Sequence, residues 1–250
     1  MTSRPRLTVL IPAFNEAAGL AHCVELVHRH LAELEAGAEI LIVDDGSRDE
    51  TAAIAERLAA AYAGLRLVRH AVNGGIGRAF TTGVAEAQGE WLILIPADLG
   101  LQPSELSRYL DAARRADIVV GNRSDMSDYS FFRRLVHYAN ITLIRVLFGM
   151  PLRQFQYISL YRLALLRQLD IEFTGSAFML AEILIKARAL GACLVEVPIR
   201  YLPRASGRAT GARGKLIVAT LRDLFTFWWR WVRLGPVAAA RRRSPVQPGV

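Results

Sequence analysis

The chain has little cysteine. Its two residues, Cys23 and Cys193, give neither a disulfide framework nor a clustered metal motif, and they fit a reducing compartment. A signal-peptide apolar segment is missing at the start, where Met1 to Arg6 leads straight into a strand. Internal repeats are absent, as is any low-complexity tract before the terminal arginines. The aromatic stretch 215–234 carries Arg222, Arg230 and Arg233, which argues against a membrane-spanning helix. Acid is almost absent from the C-terminal fifth: residues 200–250 hold 11 Lys and Arg against the single Asp223, a balance of +10. Residues 1–199 hold 20 Lys and Arg against 22 Asp and Glu, so the net charge of +8 belongs to the end of the chain. Such a segment fits a nucleic acid, an anionic lipid surface or a phosphorylated substrate.

What is present is an apolar, patterned chain. At 250 residues and 52% hydrophobic it can bury a large core, which excludes general disorder. Short apolar runs over 7–12, 40–43, 65–69, 91–95 and 117–121 read as strands, the first stopped by Pro12. Between them, helical spacing appears over 17–36, 49–62, 76–87 and 103–115, with Ser104 a candidate cap. This alternation predicts an α/β fold with a mostly parallel central sheet flanked by helices. Beyond it, 133–148 and 176–190 read as helices, 155–161 as extended and 193–197 as a strand. The segment 215–234 reads as a final helix ending near Gly235 and Pro236. We therefore divide the chain into a domain over 1–214, an amphipathic aromatic and basic helical extension over 215–240, and a flexible tail over 241–250.

The chemistry gathers at strand ends. Leu10–Glu16 ends an apolar strand in a polar loop offering Phe14, Asn15 and Glu16. About thirty residues on, Ile42–Thr51 does the same with adjacent Asp44 and Asp45, then Gly46 and Ser47. Carboxylates there can accept hydrogen bonds from a nucleobase or ribose, and ligands of open α/β sheets bind at such ends. A turn and helix cap is the structural alternative for the Asp44–Ser47 run. Asn73–Gly77 fits a glycine loop that lets backbone approach a phosphate at a helix start, or a purely structural turn.

Taken together, these segments resemble the inverting family 2 glycosyltransferases of GT-A fold, the family that includes dolichyl-phosphate mannose synthase and bacterial polyprenyl-phosphate sugar transferases. The resemblance runs from about residue 7 to 225. It is carried by Pro12–Glu16, Asp44–Asp49, and Asn73, Gly74, Gly77 and Ala79. It continues through Gly121–Arg123, the helix opened by Arg133 and Arg134, Glu182, Val197 and Pro198, and Pro203, Arg204, Gly207 and Arg208. It implies a nucleotide-sugar site built from Pro12, Phe14, Asn15, Glu16, Asp44, Asp45, Asn73, Gly74, Ala97, Asp98 and Arg123. It also implies catalytic or charge-neutralising roles for Asp98, Arg204, Arg208 and Glu182.

One departure stands out. Where relatives carry Asp-x-Asp-x-Gln, this chain has Pro96, Ala97, Asp98, Leu99 and Gly100. Asp98 is then the single expected protein ligand for Mg2+ or Mn2+, the rest coming from diphosphate and water. Arg123, Arg204 and Arg208 are expected to balance leaving-group charge where carboxylates and metal are depleted.

The implied reaction moves mannose or glucose from a GDP- or UDP-sugar to a polyprenyl or dolichyl phosphate with inversion. The ionised phosphate acceptor needs alignment rather than a strong base. Phe225, Phe227, Trp228, Trp229, Trp231 and Val232 among arginines point to attachment at an anionic membrane surface. The enzyme is accordingly placed at the cytoplasmic face as a peripheral protein, with a homo-oligomer open. Three alternatives remain: a soluble or glycan acceptor, a catalytically silent nucleotide-sugar or lipid-phosphate binder, and a nucleic-acid binder using the basic tail. The last is disfavoured because the interleaved Trp and Phe suit an interface anchor better than a stacking platform.

Overall fold

The computed structural model describes residues 7–34, 37–99, 101–123, 130–155, 158–199 and 214–240, with the backbone alone at Arg133. The first half alternates as the periodicity predicts. The order is β1 (Leu7–Ala13), α1 (Leu20–Glu33), β2 (Ala38–Asp44), α2 (Thr51–Ala61), β3 (Leu65–Arg69), α3 (Gly75–Glu86) and β4 (Trp91–Leu94). The second half adds α4 (Leu106–Ala113), β5 (Ile118–Arg123), α5 (Phe131–Phe148), β6 (Ser159–Arg162) and α6 (Leu163–Leu166). It ends with α7 (Phe178–Ala189), β7 (Leu194–Ile199), α8 (Gly214–Leu234) and α9 (Pro236–Ala240).

The seven strands form one sheet in the order β3-β2-β1-β4-β6-β5-β7. All neighbours are parallel except β6, which runs antiparallel to β4 and to β5. The carboxyl ends of β2, β1 and β4 therefore lie side by side, while that of β5 is set off beyond β6.

Both faces of the sheet are covered, so its strands are apolar nearly throughout. Along β1, Leu7, Val9 and Ile11 pack with Cys23, Val24 and Val27 of α1, while Leu10 turns to the other core with Phe80 and Val84 of α3. Pro12 does not stop β1, as the sequence suggests, but pairs in register with Val43. Leu10 uses its carbonyl toward β4, accepting from Ile95 N–H at 2.9 Å. By alternation the nitrogen of Pro12 faces the same side, past the end of β4 at Leu94, where no ladder bond is lost.

Two local expectations change. Ser104 does not cap α4 but lies inside a short 3-10 turn over Pro103–Glu105. Phe227 and Trp231 do not offer a membrane surface. Phe227 is 1% exposed, with its ring 5.6 Å from Phe178, 5.5 Å from Phe148 and 5.3 Å from the partly buried Trp231. With Leu224, Phe227 joins α8 to the core that holds Ile141 and Ile144 of α5, because residues three and four apart share one helix face.

Candidate active site

The loops after β1 and β2 are stitched together by their own polar groups. Asn15 Oδ1 accepts from Arg48 N–H at 2.9 Å, and Asn15 N–H donates to Ser47 Oγ at 3.0 Å. Glu16 N–H donates to Thr51 Oγ1 at 2.8 Å, and Ala17 N–H to Asp49 Oδ2 at 3.4 Å. The Asp49 carboxyl is held below its ordinary range chiefly by the Thr51 hydroxyl, against a smaller opposing effect of burial.

Asn15 has φ 55°, and so does Leu99 in the loop after β4. Among the described residues these are the non-glycine positions with positive φ, and both are at strand ends facing the site. Asn tolerates that geometry through local hydrogen bonding, whereas Leu carries a cost of roughly 1 kcal/mol. The turn at Leu99 is closed by its N–H donating to Pro96 O at 2.9 Å, and it presents Asp98 next to buried Ala97.

The adjacent carboxylates of β2 take different tasks. Asp44 is 0% exposed: its Oδ1 accepts from Ser47 N–H at 3.1 Å, and its Oδ2 lies 3.4 Å from Arg69 Nε. Asp45 turns to the start of α3. Its oxygens accept from Gly74 N–H at 3.0 Å and Gly75 N–H at 2.6 Å, and His70 Nδ1 donates to it at 2.7 Å. The far nitrogen of His70 is 2.9 Å from Thr82 Oγ1 on α3.

The cap reading of this run thus applies to Asp45, and the amides of Gly74 and Gly75 serve that carboxylate rather than an open phosphate cradle. Gly46 is required here: at φ 73°, a Cβ would come within 2.8 Å of the Val72 backbone. Asn73 and Gly74 remain exposed at the mouth, as does Phe14.

Cys23 lies beneath the first and fourth loops, its Sγ 3.8 Å from Pro96 O. Burial pushes its thiol up to about 12, and the charges of Asp98 and Glu16 add to this. Buried against the Pro96 carbonyl, the thiol is an inert filler. Arg123 ends β5, 6% exposed and in register with Ile199 of β7.

Glu182 lies on α7 with its carboxylate fully engaged by neighbouring groups. It is 0% exposed on α7 and accepts from the N–H groups of Glu172 and Phe173, each at 3.0 Å, and from Lys186 Nζ at 2.7 Å. Burial holds its carboxyl above the ordinary range, with Lys186 opposing. Its task is to anchor segment 172–174, which packs on α3: a Cβ on Gly77 would fall 2.0 Å from Thr174 O. Arg204, Arg208 and Gly100 lie outside the described residues.

Sequence reasoning missed His70 and Arg69, which tie the acidic loop to its neighbours. It also missed Lys186, although a lysine four residues after Glu182 on a largely apolar helix was a readable signal.

A resident metal does not fit the donors present. Among the described residues no three His, Cys, Asp or Glu side chains group to hold an ion. With Asp98 as a single carboxylate in this loop, a divalent ion here would draw most of its ligands from a bound diphosphate and water.

The sheet order sets the two acidic loops on adjacent strand ends, where open α/β sheets bind ligands. The profile of glycosyl transferase family 2 matches residues 8–186, and the chain belongs to that family. Its relatives include an undecaprenyl-phosphate mannosyltransferase of Micrococcus luteus, 28% identical over 91% of this chain and 98% of that protein. Another is a polyprenol monophosphomannose synthase of Mycolicibacterium smegmatis, 31% identical over 82% of each. In fold the chain is similar to a mannosyltransferase of Pyrobaculum calidifontis solved with GDP-Man and Mn2+. The TM-score is 0.67 at 19% identity, covering 95% of this chain and 72% of that one.

Proposed function

We propose that this enzyme transfers mannose from GDP-mannose to a polyprenyl phosphate, inverting the anomeric carbon, at the cytoplasmic face of a membrane. The observation that carries the reading is the stitched pair of acidic loops on adjacent strand ends, with Asp44 buried beside Arg69, in a chain similar to polyprenyl-phosphate mannosyltransferases. Pro12, Phe14, Asn15, Glu16 and Asp44 form the nucleoside end of the donor site. Asp45 shapes it through α3. Ala97 and Asp98 lie at the diphosphate.

A phosphate oxygen of the acceptor, already ionised near neutral pH, attacks the anomeric carbon from the face opposite the diphosphate. The new bond joins that carbon to the lipid phosphate. The bond to GDP breaks, and GDP leaves with the electron pair. Arg123, Arg204 and Arg208 balance the departing charge, so the reaction rests on alignment and electrostatics. Asp98 would be the carboxylate that the chain offers to a divalent ion carried in on the diphosphate, and such an ion would supply further neutralisation of the leaving group.

The test is turnover of a panel of GDP- and UDP-sugars with short polyprenyl phosphate in detergent. Lipid-dependent release of GDP from GDP-mannose supports the reading, and turnover only with soluble acceptors overturns it. Pro96 at a usual carboxylate position favours a second reading, a silent binder, which predicts tight nucleotide-sugar binding without release.

A further inference from the structure

Two helices turn an apolar stripe away from the protein. On α8, Val218, Leu221, Phe225, Trp229 and Val232 recur at intervals of three and four, and all are exposed, Trp229 at 59%. With 3.6 residues per turn, this stripe lies on the side opposite Thr220, Leu224 and Phe227, which are buried. On α5, Phe131, Leu135, Tyr138 and Val146 form a second exposed stripe, opposite buried Ile141 and Ile144. Both helices dock on the same core, and Phe148 of α5 meets Phe227 and Trp231 of α8, so both stripes face away from one layer. An exposed apolar surface of this extent marks an interaction site.

Charge identifies the occupant. Lys215, Arg222 and Arg233 flank the α8 stripe, and Arg134 and Arg145 flank that of α5; all five are exposed. The two helices contain one acid between them, Asp223, which is buried and accepts from Arg222 at 2.9 Å. Arginine and lysine beside Trp, Phe and Tyr suit a headgroup boundary, where the rings enter the acyl edge and the cations meet phosphate. Among the described residues no helix is long and apolar enough to cross a membrane.

We propose that the outward faces of α5 and α8 together form a docking surface for an anionic phospholipid bilayer, with α8 lying in the interface plane and Phe225 and Trp229 as its anchors. This deepens the proposed function by naming the surface on which a membrane-borne acceptor is met, but the binding itself does not depend on transferase activity.

The experiment is flotation of the full chain with phosphatidylcholine vesicles, with and without phosphatidylglycerol, at low and high salt. The wild type floats with anionic vesicles, and salt weakens it. F225S/W229S loses at least about tenfold in vesicle affinity, and K215E/R233E loses the preference for anionic vesicles. These side chains are solvent-exposed, so both variants keep the wild-type melting temperature and the wild-type rate on short polyprenyl phosphate in detergent. Wild-type protein that stays unbound, or an F225S/W229S variant that floats as well as wild type, overturns the proposal. So does a wild-type dimer that becomes monomeric in F225S/W229S with flotation unchanged, because the face is then an interface between copies. Vesicle binding without turnover of any donor leaves this surface standing and removes the transferase reading instead.

Discussion

Arg230 of α8 donates to Glu172 Oε2 at 2.6 Å, while Lys186 of α7 holds the other oxygen of the same carboxylate at 2.9 Å. Lys186 also bonds Glu182 and the carbonyl of Asp170. Arg230 stacks over Phe173, 5.4 Å from the ring centre. One carboxylate thus fastens α8 to segment 172–174, which in turn packs on the first turn of α3. This polar joint connects the outward-facing helix to the side of α3 that borders the proposed donor site.

The joint has a buried end and a wet end, and they differ in weight. Lys186 and Glu182 are both 0% exposed, so Lys186→Ala leaves a buried carboxylate without its cation and should cost about 3–5 kcal/mol. Arg230 and Glu172 are about one-third exposed, and Arg230→Ala should cost about 1 kcal/mol or less. Urea unfolding of both variants checks the ranking, and equal losses contradict it.

The same joint makes α8 sensitive to acid. Burial pushes the Glu172 carboxyl up, but the Arg230 and Lys186 hydrogen bonds and charges outweigh it and hold the group below the ordinary range. A carboxyl depressed on folding contributes stability above its unfolded value, and this is lost as pH falls through the folded value. Glu182, shifted upward, works in the opposite sense: protonation relieves the cost of its buried charge. Melting temperature followed down from pH 6 should therefore fall more steeply in wild type than in Glu172→Gln. Parallel curves would remove Glu172 from the account.

Asp45 and Asp98 separate structure from chemistry. Asp45→Asn weakens the cap on Gly74 and Gly75 and the bond to His70, and should cost about 1–3 kcal/mol of stability. Asp98→Asn should leave unfolding nearly unchanged while lowering kcat at least about a hundredfold. Denaturation and steady-state kinetics on both proteins check this, and a stable, fully active Asp98→Asn removes Asp98 from the diphosphate end.

Metal binding should follow the nucleotide. With no three-ligand group among the described residues, Mn2+ titrated into the protein alone should bind weakly, and addition of GDP should tighten it at least about tenfold. Electron paramagnetic resonance of free Mn2+ reads this directly. Tight one-to-one binding without nucleotide would mean that the chain supplies ligands of its own.

The sheet was legible because its strands are apolar on both faces and separated by amphipathic helices. The run 155–161 was legible only as extended; the strand it yields, Ser159–Arg162, is four residues long and carries no mark of direction, so its antiparallel insertion is decided by the partners β4 and β5. Asp44 and Asp45 read alike in sequence. Alternation at a strand end sends one beneath Ser47 and the other to α3, which no spacing rule distinguishes. Phe227 and Trp231 seemed part of one aromatic surface with Phe225 and Trp229, because α8 is aromatic on two faces. Only packing against Phe148 and Phe178 tells which face is inward. The role of Glu182 depended on burial, which resemblance does not carry.

The most direct test of the central claim is release of GDP from GDP-mannose by the purified chain, with and without short polyprenyl phosphate in detergent, and with the lipid product identified by mass spectrometry. The account predicts release that requires the lipid phosphate and matches the polyprenyl phosphomannose formed one for one. GDP-mannose bound firmly but released no faster with lipid than without would contradict it.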